Sequence, residues 1–129
     1  MRFDDLSVFV IEDDALVAMN LEDMLMDLGC RVAGTAMRFD QLGKLLSGET
    51  ACDVVILDVN IGGEKIFPYA EKLRARAMPM IFATGYGQSG LPAEWRDYPV
   101  LQKPYNDDEV AQALTLALTP ASGAATAQG

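Results

Sequence analysis

Short apolar runs that end in polar side chains constrain the fold of this chain more than any other feature. Such runs occupy residues 8–11, 54–57 and 80–83, with a shorter one at 100–102. The polar residues that follow them are, in order, Glu12 and Asp13, Asp58, Thr84, and Lys103. Runs of this kind are typical of strands buried on both faces of a parallel sheet. Because ligands bind beyond the carboxyl ends of such strands, we predict that these polar groups line one pocket.

Helical patterns alternate with the strands. Val17, Leu21, Leu25 and Leu28 recur at the spacing of one helical face, and Gly29 is placed to end that helix. We predict strands at residues 7–12, 30–36, 53–58, 80–84 and 100–103, and helices near residues 17–28, 39–48, 67–77 and 110–118. The apolar face of the last helix is predicted to consist of Val110, Leu114, Ala117 and Leu118. This alternation predicts an α/β fold, a (βα)5 doubly wound parallel sheet with helices on both faces.

The stretch between the last two predicted strands departs from this alternation. Residues 85–98 contain three glycines and Pro92, which disfavour a helix over most of the segment. The fourth helix is therefore expected to be short or mobile. Trp95 within it either packs the loop before the last strand or belongs to a partner surface. Residues 60–63, Asn-Ile-Gly-Gly, are predicted to be a loop.

Charge and composition exclude several classes of function. The 129 residues, half of them hydrophobic, fit one globular domain. The 19 acidic and 10 basic residues give a net charge of −9, which disfavours direct binding to nucleic acid or to an anionic membrane. The chain has no histidine, so catalysis by its own histidine and His-ligated zinc are excluded. Metal cations and other proteins remain as expected partners.

Cysteine usage and the N-terminus indicate a cytoplasmic protein. Cys30 and Cys52 lack metal-site spacing and are predicted to be free thiols. The acidic N-terminus is unlike a signal peptide, and no apolar run approaches the roughly 18 residues that span a bilayer. We therefore predict a cytoplasmic location without membrane insertion, and we expect a monomer.

The strand-end residues resemble a known family. Together with Pro104, which follows the lysine, they are similar to the response-regulator receiver domains of two-component signalling. The segment Phe-Ala-Thr-Gly at residues 82–85 further resembles an alphaproteobacterial receiver subfamily that carries this motif, often paired with atypical histidine kinases. The resemblance implies a flavodoxin-like sheet of strand order 2-1-3-4-5 and a receiver domain at residues 1–118. The composition of residues 119–129 predicts a disordered tail.

The resemblance also implies the chemistry. Asp58 would accept a phosphoryl group from the phosphohistidine of a histidine kinase or of a histidine phosphotransfer protein. The groups implied to hold Mg²⁺ are Glu12, Asp13, Asp58 and the backbone carbonyl of Asn60. Lys103 and the Thr84 hydroxyl would contact the phosphoryl oxygens. Such a protein assists its own phosphoryl transfer and dephosphorylation, and is a signalling phosphoacceptor, not an enzyme. It would act on an unidentified downstream protein, or shuttle or drain phosphate in a phosphorelay.

One position departs from the family pattern. Receivers commonly carry an aromatic residue three positions before the lysine, and here that position is Val100. Rotation of a buried aromatic at Val100 therefore cannot be the switch. We expect signalling to use Tyr86, Tyr98 or the loop itself, with residues 85–98 as the moving part.

Simpler interpretations and rival functions remain open from the sequence alone. Asp14 is expected to cap the first helix. Thr84 could instead satisfy a strand-end carbonyl, and Lys103 could be a surface charge. One rival is a small phosphatase of the haloacid dehalogenase type, which needs a second aspartate two residues after Asp58, where this chain has Asn60. The other is an interaction module that is not phosphorylated.

Overall fold

The computed structural model describes residues 3–119, apart from the side chain of Gln88. The strands are β1 (Ser7–Ile11), β2 (Arg31–Ala36), β3 (Val54–Asp58), β4 (Asn60–Ile61), β5 (Glu64–Lys65), β6 (Met80–Thr84) and β7 (Val100–Gln102). The α-helices are α1 (Ala15–Asp27), α2 (Gly43–Ser47), α3 (Phe67–Ala75) and α4 (Asp107–Leu118). Short 3₁₀ turns lie at Phe39–Gln41, Gly87–Gly90 and Ala93–Trp95. In this part of the chain no helix is both long and apolar enough to cross a membrane.

Within residues 3–119, five parallel strands form the main sheet in the order β2-β1-β3-β6-β7. Since β6 and β7 are the fourth and fifth predicted strands, the doubly wound fold and the order 2-1-3-4-5 are confirmed. The register pairs Ile11 with Leu57, and Asp58 with Ala83. The carboxyl ends of β1, β3 and β6 therefore lie at one edge of the sheet, as the sequence predicted.

The core has two layers, one on each face of the sheet. Successive side chains of a strand point to opposite faces. Val55 and Leu57 accordingly pack with α2 and α3, whereas Val54 and Ile56 pack with α1 and α4. The free thiol of Cys30 is buried in the second layer. Burial on both faces explains why β3 reads as an unbroken apolar run.

Helix α1 begins and ends where the sequence predicted. The Asp14 side chain accepts hydrogen bonds from the N–H groups of Leu16 and Val17, at 2.9 and 3.2 Å, and so caps the helix. At the other end Leu28 is the C-cap residue, and Gly29 follows with φ of 91°. That left-handed conformation favours glycine. The interpretation of Asp14 as a cap is confirmed.

Three local predictions are corrected. Residues 60–63 are not an irregular loop, because β4 and β5 form an antiparallel hairpin whose turn, Gly62 and Gly63, has φ of 59° and 86°. The second helix is shorter than predicted, since a 3₁₀ turn precedes α2 and Gly48 ends it in a left-handed conformation. In α4, Leu118 is 37% exposed and does not continue the buried face.

Residues 85–98 contain 3₁₀ turns in place of a fourth α-helix, as the glycines predicted. The second half of this segment is anchored, because Leu91 and Trp95 are each only 2% exposed. The Trp95 ring lies 5.5 Å from that of Phe82, and the Arg74 guanidinium stacks on it at 4.0 Å. Trp95 therefore packs the loop, and its assignment to a partner surface is wrong. Of the predicted tail, Thr119 is the C-cap of α4, and residues 120–129 lie outside the described residues.

Candidate functional site

Three carboxylates meet at the carboxyl edge of the sheet. Glu12 and Asp13 directly follow β1, and Asp58 is the last residue of β3. Glu12 is 2% exposed and Asp58 7%, whereas Asp13 is exposed to solvent. Each of the three offers an oxygen within 4.8 Å of the oxygens of the other two. The parallel register thus places in one cluster the acidic residues that the sequence predicted to meet.

Lys103 joins the two buried carboxylates. Its Nζ donates hydrogen bonds to Glu12 Oε1 and to Asp58 Oδ2, each at 2.8 Å. The remaining oxygens are also paired, since Glu12 Oε2 accepts the N–H of Asp14 at 3.1 Å and Asp58 Oδ1 accepts the N–H of Asn60 at 3.0 Å. Lys103 is therefore part of the site and not a surface charge. It also supplies the positive charge that offsets carboxylate repulsion.

The electrostatics of this trio follow from burial. Burial raises the pKa of Glu12 to about 7, while the Lys103 bond acts against the rise and the neighbouring Asp58 adds to it. Burial alone would lower the pKa of Lys103, but its hydrogen bonds to Asp58 and Glu12 outweigh that effect and raise it above the ordinary value. Lys103 thus stays charged, and Glu12 titrates near neutral pH.

The hairpin positions Asp13. The N–H of Gly62 donates to Asp13 Oδ2 at 2.8 Å, across 49 residues of sequence. Sequence reasoning assigned no role to Gly62. The signal for it was the Gly62-Gly63 pair itself, which is typical of the tight turn of a hairpin. The hairpin turn therefore belongs to the site, because it holds the exposed member of the carboxylate cluster.

The carboxylate cluster fits a magnesium ion. Ligands about 2.1 Å from Mg²⁺ in octahedral geometry place neighbouring oxygens roughly 3 Å apart and opposite oxygens roughly 4 Å apart. Oxygens of Glu12, Asp13 and Asp58 within 4.8 Å of one another come close to that spacing. Asn60 lies beside them, since its N–H is bonded to Asp58. All of these groups offer the oxygen ligands that Mg²⁺ prefers.

Thr84 lies at the same edge but its hydroxyl has a different partner. The hydroxyl oxygen accepts the N–H of Tyr86 at 3.1 Å, and the residue is 3% exposed. The Thr84 carbonyl accepts the N–H of Lys103 at 3.0 Å, which ties the ends of β6 and β7 together. The sequence left open that the Thr84 side chain satisfies a strand-end carbonyl, whereas in the structure its hydroxyl accepts a hydrogen bond from the loop that follows.

Comparisons with known proteins agree with this geometry. The family model described as response regulator receiver domain matches residues 8–115. The solution structure of SdrG from Sphingomonas melonis Fr1 is 43% identical with a TM-score of 0.75, covering 89% of this chain and 98% of that one. The BeF3-activated conformation of SdrG from Pseudomonas melonis Fr1 is 40% identical with a TM-score of 0.75, covering 91% of this chain and 100% of that one.

A longer relative is also similar. The phyllosphere-induced regulator PhyR of Methylorubrum extorquens is 28% identical over 115 residues, which are 86% of this chain and 43% of that protein. The chain spans about half the length of the curated relatives it matches. These relatives support the subfamily resemblance noted in the Phe-Ala-Thr-Gly segment. A receiver match over most of the chain, with acids and a lysine at the expected strand ends, leads to one assignment: the chain belongs to the response-regulator receiver domains of two-component signalling.

Proposed function

We propose that Asp58 accepts a phosphoryl group from the phosphohistidine of a histidine kinase or of a histidine phosphotransfer protein, in a reaction assisted by Mg²⁺. One observation carries this proposal. The Asp58 carboxylate is buried at the end of β3, beside two further carboxylates and within 2.8 Å of the Lys103 amine. Such a set can bind a cation and stabilise the charge of a phosphoryl group in one place.

In this reaction Asp58 forms the covalent bond, and the other groups of the site act by their charge and position. A carboxylate oxygen of Asp58 forms a bond to phosphorus while the bond from phosphorus to the donor imidazole breaks, which leaves an acyl phosphate and a free imidazole. Mg²⁺, when bound, neutralises charge on the carboxylate and on the phosphoryl oxygens. The groups that would hold it are Glu12, Asp13, Asp58 and the Asn60 carbonyl. Lys103 would exchange its bond to Asp58 for one to a phosphoryl oxygen, since its compact charge on a flexible stem can follow the new anion.

Phosphorylation of Asp58 would change the conformation of the protein through the Thr84 hydroxyl. A phosphoryl group on Asp58 offers strong acceptors to the Thr84 hydroxyl, which now accepts the Tyr86 N–H. Movement of that hydroxyl toward the phosphoryl group would break this bond and shift residues 85–90, which follow directly. The resulting surface would change binding to a downstream protein. In a phosphorelay the same acyl phosphate would be passed on or drained.

We also propose a receiver domain at residues 1–118 that acts in the cytoplasm as a monomeric phosphoacceptor, not as a metabolic enzyme. Two observations support the location and the class. Cys30 and Cys52 are free thiols, which suits a reducing compartment. PhyR, one of the relatives reported above, is named a regulator.

Phosphorylation with a small phosphoryl donor and Mg²⁺ tests the proposal. Mass spectrometry should find one phosphoryl group, on Asp58, and Asp58→Asn should abolish it. A matched control is Asp53→Asn at the other end of the same strand region, where Asp53 accepts the N–H of Ser7 at 2.8 Å and lies away from the cluster. That variant should be labelled like the wild type.

Two results would contradict the proposal. A phosphoryl group found on another residue would remove Asp58 as the acceptor. Steady turnover of p-nitrophenyl phosphate would favour the phosphatase of the haloacid dehalogenase type instead.

A further inference from the structure

Tyr105 has a buried hydroxyl that the fold does not pair. It lies two residues after Lys103, and its ring packs partly buried against the core layer beneath α1 and α4. Its oxygen is closed off from solvent and has no hydrogen-bond partner among residues 3–119. Buried polar groups without a partner are rare in folded proteins and cost stability. We therefore expect the Tyr105 hydroxyl to find a hydrogen-bond partner in another conformation of the site.

The surroundings of Tyr105 indicate which group that is. Its ring and Lys103 line the same cavity of about 360 Å³, together with Asn20 and Met24 of α1. Burial, together with the Glu12 charge and against the opposing charge of Lys103, raises the pKa of the Tyr105 hydroxyl to about 12. The phenol thus lies in the electric field of the ion pair between Lys103 and Glu12.

We propose that the Tyr105 hydroxyl donates a hydrogen bond to Glu12 Oε1 once Lys103 has left that oxygen. This inference rests on the proposed function, in which Lys103 moves from Asp58 to a phosphoryl oxygen, and adds that Lys103 gives up its bond to Glu12 in the same movement. Glu12 is 2% exposed, so bulk water cannot readily replace the lysine. Its Oε2 already accepts the Asp14 N–H, and Oε1 is the oxygen that loses its donor. Tyr105 is then a positioning residue that acts through Glu12 and does not touch the phosphoryl group.

A thermal double-mutant cycle on the metal-free protein tests the contact without any phosphoryl donor. Lys103→Met frees Glu12 Oε1 permanently, so Tyr105 should pair with it in that background. Tyr105→Phe should therefore leave the melting temperature of the wild type unchanged or raise it, and should lower that of Lys103→Met. The same shift in both backgrounds would overturn the inference, since a purely structural role of the ring and hydroxyl would not depend on Lys103.

Beryllofluoride titration in the presence of Mg²⁺ gives a second measurement, which stands even if Lys103→Met does not fold. Tyr105→Phe should weaken beryllofluoride binding roughly tenfold, the effect of losing one hydrogen bond to a charged group. The control is Tyr69→Phe, whose ring stacks on Phe39 at 4.3 Å in the opposite core layer, and it should bind like the wild type.

The outcomes of the titration are distinguishable. If the wild type binds beryllofluoride and Tyr105→Phe binds it with equal affinity, the inference is overturned and the proposed function is unaffected. A wild type that does not bind beryllofluoride would count against the proposed function, and the thermal cycle alone would then decide the role of Tyr105.

Discussion

Glu12 is a residue whose charge changes near neutral pH. Its folded pKa of about 7 lies above its ordinary value of 4.5, because burial disfavours the carboxylate more than the Lys103 bond favours it. A pKa raised on folding means that the folded protein prefers the protonated acid. The stability from this preference is fully present below pH 4.5 and is lost as the pH rises through about 7.

Metal-free protein should therefore lose stability between pH 4.5 and about pH 7, by on the order of 2–3 kcal/mol from Glu12. Urea unfolding at a series of pH values measures this slope. Glu12→Gln should flatten it, whereas Glu49→Gln, at an exposed position, should not. An identical slope in wild type and Glu12→Gln would show that Glu12 is not the titrating group.

Magnesium binding should show the opposite pH dependence. Ligation by Glu12 requires the carboxylate, so protons compete with Mg²⁺ below pH 7. We expect the affinity measured by calorimetry to rise with pH through about 7 and then level off. Asp13→Asn, which keeps an acceptor for the Gly62 N–H, should weaken binding at every pH. Equal Mg²⁺ affinity in Asp13→Asn and wild type would rule out this carboxylate cluster as the site.

At the scale of elements, strand position was predictable and the connections between elements were less so. The runs at β1, β3 and β6 are long and apolar enough to fix both their bounds and the acids or hydroxyl at their ends. The hairpin of β4 and β5 escaped prediction because two-residue strands show no periodicity. It forms since Ile61, 2% exposed, packs into the core beneath α2 and α3. The contact between Ile61 and the core is made in the tertiary structure and cannot be predicted from the neighbouring residues in the sequence.

Side-chain partners were the least predictable level. The sequence placed Lys103 at the correct edge, but its bonds reach Glu12 and Asp58 across 91 and 45 residues. No local pattern encodes which oxygen it contacts in the resting state. The Thr84 hydroxyl likewise was expected at the phosphoryl position, and its bond to Tyr86 became visible only in the folded loop.

The loop after β6 contains a matched pair of glycines. A Cβ on Gly90 would lie 2.7 Å from Thr84 Oγ1 and 3.2 Å from the Tyr86 Cβ, whereas a Cβ on Gly85 would meet nothing within 4 Å. Neither glycine has a positive φ, so alanine causes no backbone strain at either position. The loop therefore packs on Thr84 only because residue 90 lacks a side chain.

Gly90→Ala should push the loop away from Thr84 and destabilise the resting protein by about 1 kcal/mol or more, as overpacking does. Gly85→Ala should be neutral or stabilising by up to about 1 kcal/mol, because it only restricts the unfolded chain. Urea unfolding measures both. Since release of Thr84 favours the activated arrangement, Gly90→Ala should also bind beryllofluoride more tightly than Gly85→Ala. Equal stability and equal binding in the two variants would show that the contact has no role.

At the scale of the whole molecule, the core divides residues 85–98 into two parts. The second part is fixed to the core, because Leu91 and Trp95 are buried and Tyr98 packs edge-on against Phe82 at 5.7 Å. The first part buries no large apolar side chain, since Tyr86 is 73% exposed, and it is held by hydrogen bonds. These include the bond from the Tyr86 N–H to Thr84 and a bond from the Ser89 hydroxyl to the Tyr86 carbonyl at 2.6 Å. The sequence predicted motion over the whole segment, and from this packing we expect the motion to be limited to residues 85–90.

Hydrogen exchange should reveal this division. In the resting protein, amides of residues 85–90 should exchange much faster than those of residues 91–98, since local opening of the first part exposes few buried apolar contacts. Addition of beryllofluoride and Mg²⁺ should slow exchange in residues 85–90 as Thr84 engages the bound group and selects one loop conformation. Asp58→Asn under the same conditions should show no such change. Protection of residues 85–90 that already equals that of β6 at rest, and that beryllofluoride leaves unaltered, would refute a loop that orders on activation. Fast exchange throughout residues 85–98 would instead show that the Trp95 cluster does not anchor the second part.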